Sequence, residues 1–194
     1  MYTVVGRIRS RAFRVLWALE ELGVEYTHAD LAPGSDEAKA YHPSGKIPVL
    51  MVGDEALTDS VAIMTYLSDK HGGLGYQAGT IQRARLDAML HYLNEDLDAL
   101  LWLIAKHSFI FPEDARVPDV VDPTKAEVAR NLDGLADRMQ GEWLMGDEFT
   151  IADILAVHCL GWAFGMDIPV TNEAVKDYGK RARARAAFIQ AGKQ

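Results

Sequence analysis

The sequence predicts an α/β layer followed by an all-α half. Three observations carry this. Strand-like and helix-like runs alternate from Tyr2 to about Gly73, a glycine-rich stretch follows, and beyond it every periodic segment is helical. Tyr2-Thr3-Val4-Val5 is a β-branched run stopped by Gly6. Ala12, Val15, Leu16, Leu19 and Leu22 have helical spacing, with Gly23 as the stop. Val24 to His28 reads as a second strand, and Ser35 to Tyr41 as a short helix. Pro48 to Val52 and Glu55 to Thr58 flank a Gly53-Asp54 turn and predict a hairpin, which makes the sheet mixed. Ser60 to His71 is helical again and ends at Gly72-Gly73.

The second half opens on a long apolar stripe from Ile81 to Ile104, including Leu86, Leu93, Leu97 and Leu101. Phe109 to Pro123 holds three prolines and reads as a loop, with Asp122-Pro123 as N-cap and first residue of the next helix. Thr150 to Phe164 and roughly Asn172 to Arg185 complete the helices. The expected domains are therefore residues 1–73 and 80–194.

Composition excludes several classes. There are 20 Lys+Arg against 28 Asp+Glu, a net charge of −8, which argues against general nucleic-acid binding. No apolar run approaches the roughly 20 residues of a membrane span. The single cysteine, Cys159, allows no internal disulfide, and Met1 opens no charged-then-apolar leader, so a cytoplasmic setting is expected. Cys159 sits in an apolar helix and reads as a buried, inert thiol.

Four segments stand out, three of them with candidate chemistry. In Gly45-Lys46-Ile47-Pro48-Val49-Leu50 a cis bond before Pro48 would turn the Ile47 backbone outward, but trans is the commoner state of X-Pro bonds. Asp59 and Ser60 stand at a helix N-terminus, where they either cap or help to hold a carboxylate. Thr150 and Asp153 have capping-box spacing, and Phe149 and Ile154 that of a hydrophobic staple, which is a structural device. Ser10 either caps the first helix or stabilises an anion among Arg7, Arg9, Arg11 and Arg14.

Together these segments, in this order, resemble the cytosolic glutathione S-transferase family, in its bacterial, serine-type form. The stretches are Ser10 to Gly23, His42 to Leu50, Leu57 to Ile63 and Gly146 to Asp153. The resemblance implies a thioredoxin-like N-terminal domain, an all-helical C-terminal domain and a homodimer. It implies glutathione as co-substrate, with Ile47 offering its backbone, Pro48 cis, Asp59 and Ser60 on the γ-glutamyl end, and Lys46 on the glycyl carboxylate. Ser10 would donate a hydrogen bond to the sulfur, and the thiolate would attack a small apolar electrophile. Tyr92 and Trp102 are candidates for the electrophile pocket. The sequence departs from the family pattern in Asp59, where a glutamate is usual, and in Arg185-Ala186-Ala187-Phe188, where a proline is usual. One register of the serine loop selects Arg9 instead of Ser10. Two other functions stay open: a binding or regulatory protein with little catalysis, and glutathione-dependent peroxide or disulfide reduction.

Overall fold

The structure is a computed structural model that describes residues 1–194. Its first part holds β1 (Tyr2–Val5), α1 (Ala12–Leu22), β2 (Tyr26–Ala29), α2 (Asp36–Tyr41), β3 (Val49–Val52), β4 (Glu55–Thr58) and α3 (Ser60–His71). The sheet order is β2-β1-β3-β4. β1 pairs parallel with β2 and antiparallel with β3, and β3 pairs antiparallel with β4. This mixed sheet with its helices is the thioredoxin-like arrangement, and a helical part follows it.

The expected second strand began at Val24, but β2 begins at Tyr26. Val24 donates its N–H to the Leu19 carbonyl at 3.0 Å, so it still belongs to the end of α1. Gly23 takes the left-handed conformation there (φ 64°) and completes the cap.

The helical part comprises α4 (Ile81–Tyr92), α5 (Ala99–Ala105), α6 (Val121–Asp133), α7 (Leu135–Arg138), α8 (Ile151–Gly165), α9 (Glu173–Arg183) and α10 (Ala186–Ala191). Two π-helical segments, Leu93–Asp98 and Lys106–Ile110, join α4 and α5 into one long rod and extend it. The expected loop from Phe109 to Pro123 is partly ordered as short 3₁₀ turns at Glu113–Ala115 and Pro118–Val120. α6 starts at Val121, so Pro123 lies inside its first turn. No intrahelical partner awaits an N–H there, so proline is tolerated. The helix expected to run to roughly Arg185 ends at Arg183, and a last helix begins beyond Arg185 without the usual proline. Arg185 is extended (ψ 139°) and starts α10.

α8 is apolar nearly all round and buries Ile151, Ile154, Leu155, Val157 and Leu160. Such a helix belongs in a protein's centre. Its entry is fixed by Asp153, whose carboxylate accepts from the Thr150 N–H (2.8 Å), the Leu144 N–H (2.9 Å) and the Tyr178 hydroxyl (2.9 Å). α10 folds back on α1, where Phe188 meets Trp17 edge-on at 4.9 Å and Phe13 at 5.1 Å. Arg185 clamps it there with two bonds to Glu21, at 2.6 and 2.7 Å. One contiguous core thus runs from the sheet through α1 and α3 into α8.

Candidate functional site

Strand register brings three loops to one edge of the sheet. Val5 faces Val49 across β1 and β3, and Val49 faces Thr58 across β3 and β4. The chain leaving β1 (Gly6 to Arg11), the chain entering β3 (Ile47-Pro48) and the chain leaving β4 (Asp59-Ser60) therefore adjoin one another. Four of the expected glutathione contacts and Ser10 come from loops that are distant in sequence but neighbours at this edge.

The Ile47–Pro48 bond is cis, as the resemblance implied and against the residue-level preference for trans. The N–H and C=O of Ile47 bond to nothing else in the chain. Gly6 (φ 134°) makes this close approach possible. A methyl group on it would stand 2.8 Å from the Ile47 Cβ. Asp59 is a non-glycine residue at φ 69°, a conformation that concentrates at functional positions. Its Oδ1 accepts from the Val61 and Ala62 N–H groups at 2.9 and 3.0 Å, and its Oδ2 has no partner. The capping reading and the ligand reading are thus compatible, because one oxygen caps and the other is free. The Ser60 N–H is likewise unpartnered.

Ser10 also caps. Its hydroxyl donates to the Arg7 carbonyl at 2.6 Å and accepts from the Ala12 N–H at 3.1 Å. Ser10, Lys46, Ile47 and Trp102 line one cavity of about 560 Å³, closed on the helical side by Trp162, His158 and Phe188. Asp59, Ser60 and Pro48 lie outside its lining. Tyr92 is elsewhere: its hydroxyl donates to the Asn131 carbonyl at 3.0 Å and its ring carries Arg138 at 3.8 Å, so it packs α4 against α6.

The four arginines do not form one solvated cluster. Arg7 and Arg9 are exposed, but Arg14 is only 1% exposed. It donates to an Asp98 oxygen, to the Ser60 hydroxyl (3.1 Å) and to His158 Nδ1 (3.0 Å). Arg11 also binds Asp98, through Nε at 2.9 Å and Nη2 at 2.7 Å. Its guanidinium lies 4.9 Å from the Trp162 ring and 5.3 Å from that of Trp102, a cation–π sandwich at the cavity wall. Burial works to raise the Asp98 pKa, but Arg14 and Arg11 outweigh it and hold the carboxyl below its ordinary value.

The contacts of His158 fix its tautomer. A guanidinium only donates, so Nδ1 accepts from Arg14, and Nε2 carries the proton that it donates to the Ser10 carbonyl at 3.2 Å. Burial, reinforced by Arg14, pushes its pKa down to about 3. The folded protein therefore refuses a proton that the unfolded chain takes below about pH 6.5. Stability should be full above that pH and fall by about 1.4 kcal/mol per unit on the way to pH 3. Urea denaturation at pH 7.5, 5.5 and 4.5 checks this, and His158→Gln should flatten the slope over the same interval. Cys159 is fully buried beside this network, with its thiol pKa pushed up to about 12 by burial, so it stays protonated.

Asp98, His158 and Trp162 were not among the expected site residues, and Arg11 was expected only as one of four arginines around Ser10, not as the partner of Asp98. Asp98 did leave a signal, as a lone carboxylate within the apolar stripe between Leu97 and Leu101.

Comparisons with known proteins bear on the family and the fold. Residues 10–75 match the model of the glutathione S-transferase N-terminal domain, and residues 99–184 that of the C-terminal domain. Glutathione S-transferase 3 of Zea mays is 30% identical over 154 residues, which is 72% of this chain and 68% of the maize protein. The chain belongs to the glutathione S-transferase family. Glutathione S-transferase GST-4.5 of Xanthomonas campestris is 26% identical over 198 residues, covering 100% of this chain and 97% of that protein. Among solved structures, a glutathione transferase from Methylococcus capsulatus superposes with a TM-score of 0.89 at 24% identity, over 100% of this chain and 98% of that one. That likeness bears on the fold. In this transferase the two matched regions meet at the 560 Å³ cavity.

Proposed function

We propose that the protein binds glutathione along the sheet edge and activates its thiolate for attack on a small electrophile held by the helical part. One observation carries this reading. The groups without partners at the edge are the Ile47 N–H and C=O, the Ser60 N–H, the Asp59 Oδ2 and the Lys46 ammonium. Their donor and acceptor types match an extended tripeptide with an amino group at one end and carboxylates at both. Ile47 would pair with the cysteinyl backbone. Asp59 and Ser60 would take the γ-glutamyl amino and carboxylate groups, and Lys46 the glycyl carboxylate. Residues 1–73 then form the glutathione half and 80–194 the electrophile half, with a homodimer as the working unit.

Thiolate formation falls to Ser10. A free thiol has a pKa of ~8.5, so a donor at the sulfur raises the reactive fraction at neutral pH. The Ser10 proton would have to leave the Arg7 carbonyl to reach the sulfur, by rotation about the Cβ–Oγ bond, which leaves the oxygen in place as the acceptor of the Ala12 N–H. Exposed Arg9 and Lys46 add positive potential at the same wall. The electrophile would rest against Trp102 and Trp162.

The present bond from Ser10 to Arg7 favours a second reading, a binder with little catalysis. Calorimetry separates the layers of the argument. Glutathione should bind with a Kd below 1 mM, on the order of typical substrate affinities, and Lys46→Ala with Asp59→Ala should weaken it at least about tenfold. No heat at millimolar glutathione would refute the glutathione reading. Binding without conjugation of an aryl halide would leave the binder.

A further inference from the structure

α9 carries four cations, and three of them have acidic or carbonyl partners. Lys176 pairs with Glu173 at 2.6 Å, Lys180 with Asp177 at 3.0 Å, and Arg181 with Glu142 at 3.7 Å. Arg183, at the C-terminal end of the helix, has neither an ion pair nor a hydrogen bond within the chain. Asp167, the one acidic residue lining the neighbouring cavity of about 790 Å³, does not reach it. Yet Arg183 is half-buried and stands between two cavities, lining both that one and the cavity of Ser10 and Trp162.

Two glycines give the guanidinium its berth. A methyl group on Gly179 would stand 3.2 Å from Nη1, and one on Gly161 would stand 3.9 Å from Nη2. The group lies against bare backbone of α8 and α9, with no oxygen set against its N–H donors. Burial lowers its pKa, in line with a half-buried cation that has gained no counter-charge. A guanidinium stays charged under these conditions and presents a fork shaped for a carboxylate. The other guanidinium at this wall, Arg11, shares the Asp98 carboxylate with Arg14, so it has an ion pair where Arg183 has none.

We propose that Arg183 is a specificity-determining residue and that the electrophile carries a carboxylate, which this guanidinium receives. The proposal rests on the transferase reading above and narrows its substrate class. With 4-chloro-3-nitrobenzoate the glutathione sulfur forms a bond to the ring carbon, and the C–Cl bond breaks. Chloride leaves with the bonding pair, the thiol proton passes to solvent, and nothing is oxidised or reduced.

The test measures binding and turnover separately. Calorimetry compares 3-nitrobenzoate with 3-nitrobenzamide in the glutathione-loaded protein, neither of which can react by chloride loss. Wild type should prefer the carboxylate by about tenfold or more. Arg183→Gln should bring the ratio near one, and Arg183→Lys, which keeps the charge but loses the fork, should restore part of it. An S-aryl glutathione conjugate should displace the benzoate, because both would occupy the Ser10 side. Equal binding of the two ligands in wild type, an unchanged ratio in Arg183→Gln, or failure of the conjugate to compete would each overturn the proposal. Turnover of the two 4-chloro analogues reads the other layer. If neither is conjugated while the binding preference holds, the transferase reading fails and the anion-selective site stands.

Discussion

Ser10→Ala should lower kcat/KM for a neutral aryl halide by about 100-fold, the size of effect seen when one donor to a developing or bound anion is removed. The effect should be largest near pH 6.5 and shrink as the pH rises, because hydroxide then generates the thiolate unaided. In the variant the pH profile should move toward the ~8.5 of a free thiol. Two controls separate catalysis from folding. The Ser10 hydroxyl accepts from the Ala12 N–H, so its removal also costs α1 a cap, worth about 1 kcal/mol. Ser10→Thr keeps the hydroxyl and should retain most activity, and glutathione affinity should change little in either variant. Full activity in Ser10→Ala would reject Ser10 as activator, and Arg9→Gln would then test the other register.

The second large effect is on stability. Asp98→Ala should destabilise the protein by about 3–5 kcal/mol, the cost of stranding a buried cation. Arg14 has no route to water, and its Nε already lacks a partner. Without Asp98 it would keep only neutral partners, the Ser60 hydroxyl, His158 and, at 4.0 Å, the Cys159 sulfur. A fall of about 10 °C in Tm is expected for a chain of this size. Asp98→Asn, which keeps an acceptor but not the charge, should lie between. A Tm within 2 °C of wild type would show that Arg14 finds another partner. Activity should fall as well in any folded fraction, since the same carboxylate steadies Arg11 between its tryptophans and, through Arg14 and His158, the carbonyl of Ser10.

Local signals made much of this molecule legible. The bounds of α1 match the expected Ala12–Leu22 because the apolar spacing and the Gly23 stop are both nearby in sequence. β4 and α3 were legible for the same reason, with Asp59 capping as its type suggests. Errors arose where two local readings compete. Val24 is β-branched, yet its N–H is claimed by α1. Pro123 suits any position of a first helical turn, so it could not mark which one. Site residues split along a similar line. Ser10, Lys46, Ile47, Asp59 and Ser60 were named as candidates through contiguous motifs. Arg11, Asp98 and His158 act only through contacts between segments about 60 to 150 positions apart, for which a single sequence holds no spacing rule. Tyr92 illustrates the converse. Its place on the long helix was right, but the direction of its side chain depends on the turn geometry that follows.

That turn geometry has a consequence for how such a cavity can diversify. In an α-helix each residue advances the side-chain direction by roughly 100° while lengthening the rod by only about 1.5 Å. The π-helical segments Leu93–Asp98 and Lys106–Ile110 flank the stretch that presents Trp102. A π segment amounts to a helix that has absorbed an additional residue. Deleting one residue within Leu93–Asp98 would therefore let that wide turn close to an ordinary α turn, with Trp102 and Ala105 still facing the cavity. A deletion within Ala99–Ala105, where the helix is regular, would instead turn the side chains that follow by roughly 100°. A single codon lost between the two π segments would thus re-line one wall of the pocket like a turned dial, whereas one lost inside them would leave it as it is.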